Sequence, residues 1–197
     1  MKQSDEALMA AHLNGNTTAF EQLVRRHGES LLGYLTRMSG NRDIAEDFFQ
    51  ETFKRVHHKG HTFRMDSRFK PWLYAIATNV TMSGLRKTSR RPRVISLNVN
   101  NQCGGGDCPQ QTMPIEDTLN EPSQKVIKDE QKELVAKAVE NLPPRQKAAL
   151  IMSYYKGLTY KEVANALGCS VGTIKTQMFR ALRKLSVELE AVRGGVK

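Results

Sequence analysis

The sequence predicts an all-α protein of two small helical domains joined by a flexible acidic linker. Three observations predict it. Apolar residues recur at helical spacing behind capping residues through most of residues 1–93 and 125–197. Between these parts, residues 94–124 read VISLNVNNQCGGGDCPQQTMPIEDTLNEPSQ, with a Gly triplet, three prolines and no sustained apolar period. Charge changes at the same borders. Residues 1–93 hold 16 Lys/Arg and 9 Asp/Glu, residues 94–124 none and 4, and residues 125–197 14 and 7. Each domain is near the lower size limit for an independent core.

Ser4 can cap a first helix running to Leu13, and Asn16 or Thr17 a second. Along the second, Phe20, Leu23, Leu31, Leu32, Tyr34 and Leu35 are apolar, with a break expected at Gly28, and SGNRD then ends it. The helix RDIAEDFFQETFKRVHH carries an apolar stripe of Ile44, Ala45, Phe48, Phe49, Phe53 and Val56. At 100° per residue, Asp43, Glu46, Asp47, Gln50 and Glu51 fill the opposite arc. Carboxylates favour a helix N-terminus, which accounts for part of this face. A docking surface for a basic protein accounts for it equally well on charge alone.

Phe63 to Arg93 mixes aromatics with cations. Phe63, Phe69, Trp72 and Tyr74 stand among Arg64, Arg68 and Lys70, on and before a helix expected to begin at Trp72 and to carry Thr78 and Asn79. A basic run, Arg86, Lys87, Arg90, Arg91 and Arg93, is expected after it. Single-stranded nucleic acid needs that combination: rings for splayed bases and positive charge for the backbone.

In LTYKEVANALGCSVGTIKTQMFRALRKL, Thr159 and Glu162 form a capping box, and Val163, Ala164 and Leu167 lie on one face. The helix stops at Gly168. Ser170 can cap the next, whose stripe is Val171, Ile174, Met178, Ala181, Leu182 and Leu185. Two short helices around a glycine turn make a helix-turn-helix. Outward positions Thr173, Lys175, Thr176, Gln177, Arg180, Arg183 and Lys184 include no carboxylate, which suits phosphates and base edges.

The formal net charge of +10 over 197 residues agrees with a nucleic-acid partner. No apolar run of about 18 residues exists, and the start MKQSDEALMA lacks the apolar stretch of a signal peptide, so a soluble cytoplasmic protein without membrane insertion is expected. Cys103 and Cys108 read as linker thiols, since CxxC spacing is lacking and no matching pair of His or Cys lies near, and Cys169 as a small buried residue. His57, His58 and His61 could bind metal, but no Asp/Glu pair follows at ligand spacing. With no phosphate-binding glycine loop, paired catalytic carboxylates or nucleophile with its base, no enzyme, cofactor, metal or small-molecule substrate is expected.

The order of these pieces resembles the bacterial RNA polymerase sigma factors, and within the sigma-70 superfamily the short extracytoplasmic-function (ECF, group IV) subfamily. AEDFFQETF resembles the family's core-polymerase-binding helix, FKPWLYAIATNVTMSGLRKTSRR the helix that melts and reads the −10 element, and LPPRQKAALIMSYYKGLTYKEVANALGCSVGTIKTQMFRALRKL the −35-binding domain. The resemblance covers roughly residues 5–91 and 125–190.

It implies a sigma region 2 bundle over 1–93, a region 4 helix-turn-helix over 125–197, and promoter-specific transcription initiation with core polymerase. Asp43, Glu46, Asp47, Gln50 and Glu51 would face the polymerase. Phe63, Arg64, Ser67 and Phe69 would accept a base flipped from the −10 element, with Trp72 and Asn79 beside the opened duplex and Arg86, Lys87, Arg90 and Arg91 on phosphates. Lys175, Thr176, Phe179 and Arg180 would face −35 duplex DNA, with Ser170 and Thr173 at the helix start and Tyr160 on phosphate. An anti-sigma partner is implied as well. The sequence departs from the family at Ser153, where a phosphate-binding cation is usual, and at Lys175, where arginine's planar fork is common. A helix-turn-helix regulator with residues 1–93 as sensor is the alternative.

Overall fold

The computed structural model describes residues 3–90 and 134–194, and every regular element among them is helical. The expected linker 94–124 with Cys103 and Cys108, and the cations Arg91 and Arg93, lie outside the described residues. Helices α1 (Asp5–Leu13), α2 (Thr17–Ser39) and α3 (Arg42–Lys59), a 3-10 turn (Gly60–Thr62) and α4 (Phe69–Arg90) form the first half. Helix α5 (134–140), α6 (Pro144–Leu150), one turn of π-helix (Ile151–Tyr155), α7 (Tyr160–Leu167) and α8 (Val171–Gly194) form the second.

Local chemistry sets these ends. Ser4 Oγ accepts from Ala7 N at 3.1 Å, Asn16 Oδ1 from Ala19 N at 3.2 Å and Asn41 Oδ1 from Ile44 N at 3.0 Å, so each helix opens on a side-chain cap. Gly40 and Gly168 close α2 and α7 at φ 71° and 63°, a left-handed turn that costs glycine little.

Two expectations about helix bounds fail. Helix α2 runs unbroken through Gly28, which is buried with the Phe49 ring 3.5 Å from where a Cβ would stand, so this glycine admits α3 rather than ending α2. Helix α4 begins at Phe69, not Trp72, because Pro71 is tolerated in a first turn, and it continues past Arg86 and Lys87, which ride on the helix instead of following it.

In the first half α2 packs against α1, α3 and α4 around Leu23, Leu31, Leu35, Phe53 and Leu73. In the second, α6, α7 and α8 close over Ala148, Ile151, Val163, Ile174, Met178 and Ala181. Val171 and Leu182, expected in the α8 stripe, are exposed instead. The halves touch, with α4 against α7 and α2 against α6.

One polar cluster lies inside the first half. Thr78 donates to the Tyr74 carbonyl at 2.7 Å, so its oxygen must accept from the fully buried Tyr34 hydroxyl, also at 2.7 Å. Burial pushes the Tyr34 hydroxyl well above the ordinary range. Thr78 therefore has no face for DNA. Thr78→Val keeps the shape and strands the Tyr34 hydroxyl, which should cost about 1–3 kcal/mol in urea unfolding. Adding Tyr34→Phe should restore most of it.

Candidate nucleic-acid interface and docking face

Helix α8 carries the first surface. Ser170 Oγ accepts from Thr173 N at 3.1 Å and caps the helix, while Thr176 Oγ1 donates back to the Gly172 carbonyl at 3.0 Å. Thr176 thus offers its methyl and an acceptor lone pair outward. Ser170, Thr173, Lys175, Thr176, Phe179 and Arg180 are all exposed, Phe179 to 66%. No ion pair among the described residues engages Lys175 or Arg180. Gln177 is half-buried, and Lys184 donates to the Asn141 carbonyl at 2.7 Å, bracing α8 against the turn before α6. Exposure without a partner is costly only for Phe179, a ring with no hydrophobic cover.

Tyr160 opens α7 partly exposed. Behind it Glu162 completes the capping box: Thr159 N donates to its Oε2 at 2.8 Å, and Glu162 N to Thr159 Oγ1 at 3.3 Å. Its other oxygen accepts from Arg68 of the first half at 2.9 Å. Burial raises this carboxyl, but the Thr159 and Arg68 hydrogen bonds outweigh burial and hold it below the ordinary range. Ser153 stands in the π turn with its hydroxyl oxygen buried and without a hydrogen-bond partner. Cys169 is a half-buried free thiol.

The second surface is the loop from Phe63 to Phe69 with α4. Here the aromatic expectation is corrected: Phe63 and Phe69 are 6% and 0% exposed. They pack with Trp72, the Phe63 and Trp72 ring centroids 5.0 Å apart and the Phe69 and Trp72 centroids 5.9 Å. Phe63 and Phe69 therefore build the floor of the loop and offer no ring face to a base. Besides Met65, which is 47% exposed, the loop exposes Ser67, Arg68, and Arg64 forked onto Asp66 at 3.2 and 2.8 Å. Along α4, half-buried Trp72 and exposed Asn79 and Arg86 fall seven residues apart, so they line up in one row roughly 21 Å long. Lys87 is exposed beside it, and Arg90 closes the helix with its side chain outside the described residues.

The third surface is the acidic arc of α3. Asp43, Glu46, Asp47 and Gln50 are exposed and Glu51 is half-buried. Two of the carboxylates are already paired within the helix, Glu46 with Arg42 at 3.1 Å and Glu51 with Arg55 at 2.7 Å. Asp43 and Asp47 have no ion pair among the described residues, so the uncompensated charge is theirs. Those i, i+4 pairs were legible in the spacing and were overlooked.

Among the described residues His57 belongs to no group of potential metal ligands; its ring packs 5.0 Å from His12 and 5.6 Å from Phe20. Where the halves meet, Lys70 Nζ donates to the Lys156 carbonyl at 2.7 Å, Lys156 Nζ to Ser30 Oγ at 3.1 Å, and the Arg37 guanidinium lies 5.0 Å over the Tyr155 ring. Burial, then the charges of Arg37 and Lys70, lower the Lys156 ammonium to about 8.

The chain matches two parts of one family, Sigma-70 region 2 over residues 23–91 and Sigma-70, region 4 over residues 132–185. The first match holds the α3 arc, the loop and α4, and the second holds α7 and α8 as far as Leu185. The chain is an ECF sigma factor of the sigma-70 family. It is 28% identical to the ECF RNA polymerase sigma-E factor of Haemophilus influenzae over 95% of its own length and 96% of the relative's. Against RNA polymerase sigma-H factor of Pseudomonas aeruginosa the identity is 28%, over 96% of this chain and 95% of that one.

Among solved structures, the sigma factor RpoE of Bartonella quintana, crystallised with the anti-sigma factor NepR, superposes with TM-score 0.64 at 25% identity, covering 87% of this chain and 96% of that one. CnrH, in complex with the cytosolic domain of CnrY, shares the fold with TM-score 0.66 at 23% identity, covering 96% of this chain and 99% of that one. In this sigma factor the residue that sequence reasoning missed is Glu6, which meets α4 across the fold. Its signal was indirect: α4 has no usable cap of its own.

Proposed function

We propose that this sigma factor binds core RNA polymerase through the acidic arc of α3, reads duplex −35 DNA with α8, and opens and holds the −10 element with the loop before α4 and the row Trp72, Asn79 and Arg86. The observation that carries the reading is the separation of charge. One chain presents an acidic strip at Asp43 and Asp47, without an ion pair among the described residues, and two cationic, hydrogen-bonding surfaces on other helices. A helix-turn-helix regulator needs only the surface on α8. DNA would be repelled by the α3 strip, whereas a basic protein face would be attracted.

On the −35 side Arg180 and Lys175 would meet guanine or phosphate, and Ser170 and Thr173 the backbone at the helix start, with Tyr160 on a neighbouring phosphate. Phe179 would lie against a thymine methyl. On the −10 side flipping a base costs a few kcal/mol, which pocket hydrogen bonds from Arg64 and Ser67 and stacking on Trp72 would offset, so melting needs no catalysis by this chain. Binding of an anti-sigma factor across these faces is supported by the Bartonella structure, whose sigma factor carries one. No described helix is long and apolar enough to cross a membrane, which suits work on polymerase in the cytoplasm.

The test is transcription by core polymerase on a promoter library with and without the chain, mapping 5′ ends. Discrete starts behind shared −35 and −10 motifs are expected. Arg180→Ala should lower affinity for the preferred −35 duplex by about 1–3 kcal/mol and leave core binding unchanged. Silence from core while the chain alone protects duplex DNA would favour the regulator.

A further inference from the structure

Helix α4 lacks a cap from its own neighbourhood. The residue before Phe69 is Arg68, a poor N-cap, and of the two good capping types nearby neither accepts from an α4 amide among the described residues. Asp66 holds the Arg64 guanidinium, and Ser67 Oγ lies 3.5 Å from Asp66 Oδ1. Pro71 removes one of the four orphaned amides of the first turn, yet the others still need acceptors.

An acceptor comes from 63 residues upstream. Phe69 N donates to Glu6 Oε1 at 3.0 Å. This hydrogen bond is the largest of the effects that hold the Glu6 carboxyl below its ordinary range. Glu6 is itself held in place. Leu8 and Met9, on the same helix, are fully buried, and its neighbour Asp5 pairs with His27 at 2.8 Å and with Arg26, both on α2. The His27 ring in turn packs on Phe69, centroids 5.4 Å apart. The first turn of α1 is thus clamped to α2 and presents one carboxylate to the amide where the loop becomes α4.

We propose that Glu6 is a positioning residue for −10 opening: it caps α4 from a distance and so fixes the loop that carries Arg64, Ser67 and Arg68. This rests on the −10 reading above. Without Glu6 the first turn of α4 frays, Phe69 loses its directional anchor, and the exposed loop groups spread over several arrangements of which one suits the flipped base. The polymerase-facing side of α3 and the reading face of α8 make no contact with Glu6 and should not respond.

The experiment compares wild type, Glu6→Ala and Glu6→Gln as full chains. Amide exchange is followed in peptides covering residues 64–72, and duplex opening by 2-aminopurine placed in the −10 element of a promoter bound to core polymerase with each chain. Core affinity and −35 duplex affinity are measured alongside. Glu6→Ala should speed exchange in 64–72 and reduce opening by roughly three- to thirtyfold, the range that loss of one helix cap spans. Core and −35 affinities should stay within twofold. Glu6→Gln keeps an oxygen acceptor and should recover part of both losses.

Equal exchange and equal opening in wild type and Glu6→Ala would overturn the proposal. So would a parallel fall in core affinity, which would mark Glu6 as a general stability residue. If wild type with core leaves the probe dark, the −10 reading fails by itself, and the exchange comparison still decides whether Glu6 holds the loop.

Discussion

Asp47→Lys should abolish association with core polymerase, with affinity falling at least about a hundredfold, while the melting temperature stays near that of the parent. Asp47 is exposed on the α3 arc and has no ion pair among the described residues, so reversing it turns attraction into repulsion against a basic face. Juxtaposed like charges cost several kcal/mol at an interface, and each 1.4 kcal/mol is tenfold in affinity. Stability should change by about 0.5 kcal/mol or less, as for exposed sites without special packing.

Glu51→Lys should weaken binding less, because Glu51 is half-buried and already shared with Arg55 at 2.7 Å. Fluorescence anisotropy of labelled chain against core, at two salt concentrations, reads both variants. Retained binding by Asp47→Lys would remove the docking role of the arc. A loss matched by unfolding would assign it to structure.

Gly84→Val should destabilise the first half by about 2–3 kcal/mol in urea unfolding. A Cβ at Gly84 would stand 2.3 and 2.5 Å from two ring atoms of Phe48, closer than any real contact. Phe48 belongs to α3 and Gly84 to α4, so the side chain acts as a wedge between the helices that carry the docking arc and the −10 row. The Phe48 ring is only half-buried and can yield to a methyl. Gly84→Ala should therefore cost much less, its clash partly offset by helix propensity worth about 1 kcal/mol. A valine variant as stable as the parent would show that α3 and α4 separate freely here.

Much of this fold was legible because its signals are local. Capping side chains at Ser4, Asn16, Thr159 and Ser170 and the left-handed glycine at Gly168 announce helix ends from within a few residues. Exposure of Thr173, Lys175, Thr176 and Arg180 along α8 followed as directly, since polar residues at helical spacing face outward unless something covers them, whereas Val171 and Leu182 do not join the buried stripe. Tertiary partners decided the rest. Gly28 reads as a break until the Phe49 ring occupies the space beside it. Phe63 and Phe69 read as stacking platforms until three rings close on one another. The reach of Glu6 to Phe69 crosses 63 residues, and no window along the chain contains both ends.

The contact between Arg68 and Glu162 sets a length scale that the two reading surfaces must overcome. Elements at −10 and −35 lie about 25 base pairs apart, roughly 85 Å along B-DNA at 3.4 Å per step. In the structure the loop and α7 stand within 2.9 Å of each other at this pair. A chain that reads both elements at once, as proposed, would have to part at this seam and give up the Arg37 to Tyr155 stacking and the Lys156 contacts. On that reading the distance between the two reading surfaces would be set by the promoter and the polymerase rather than by the contacts at this seam.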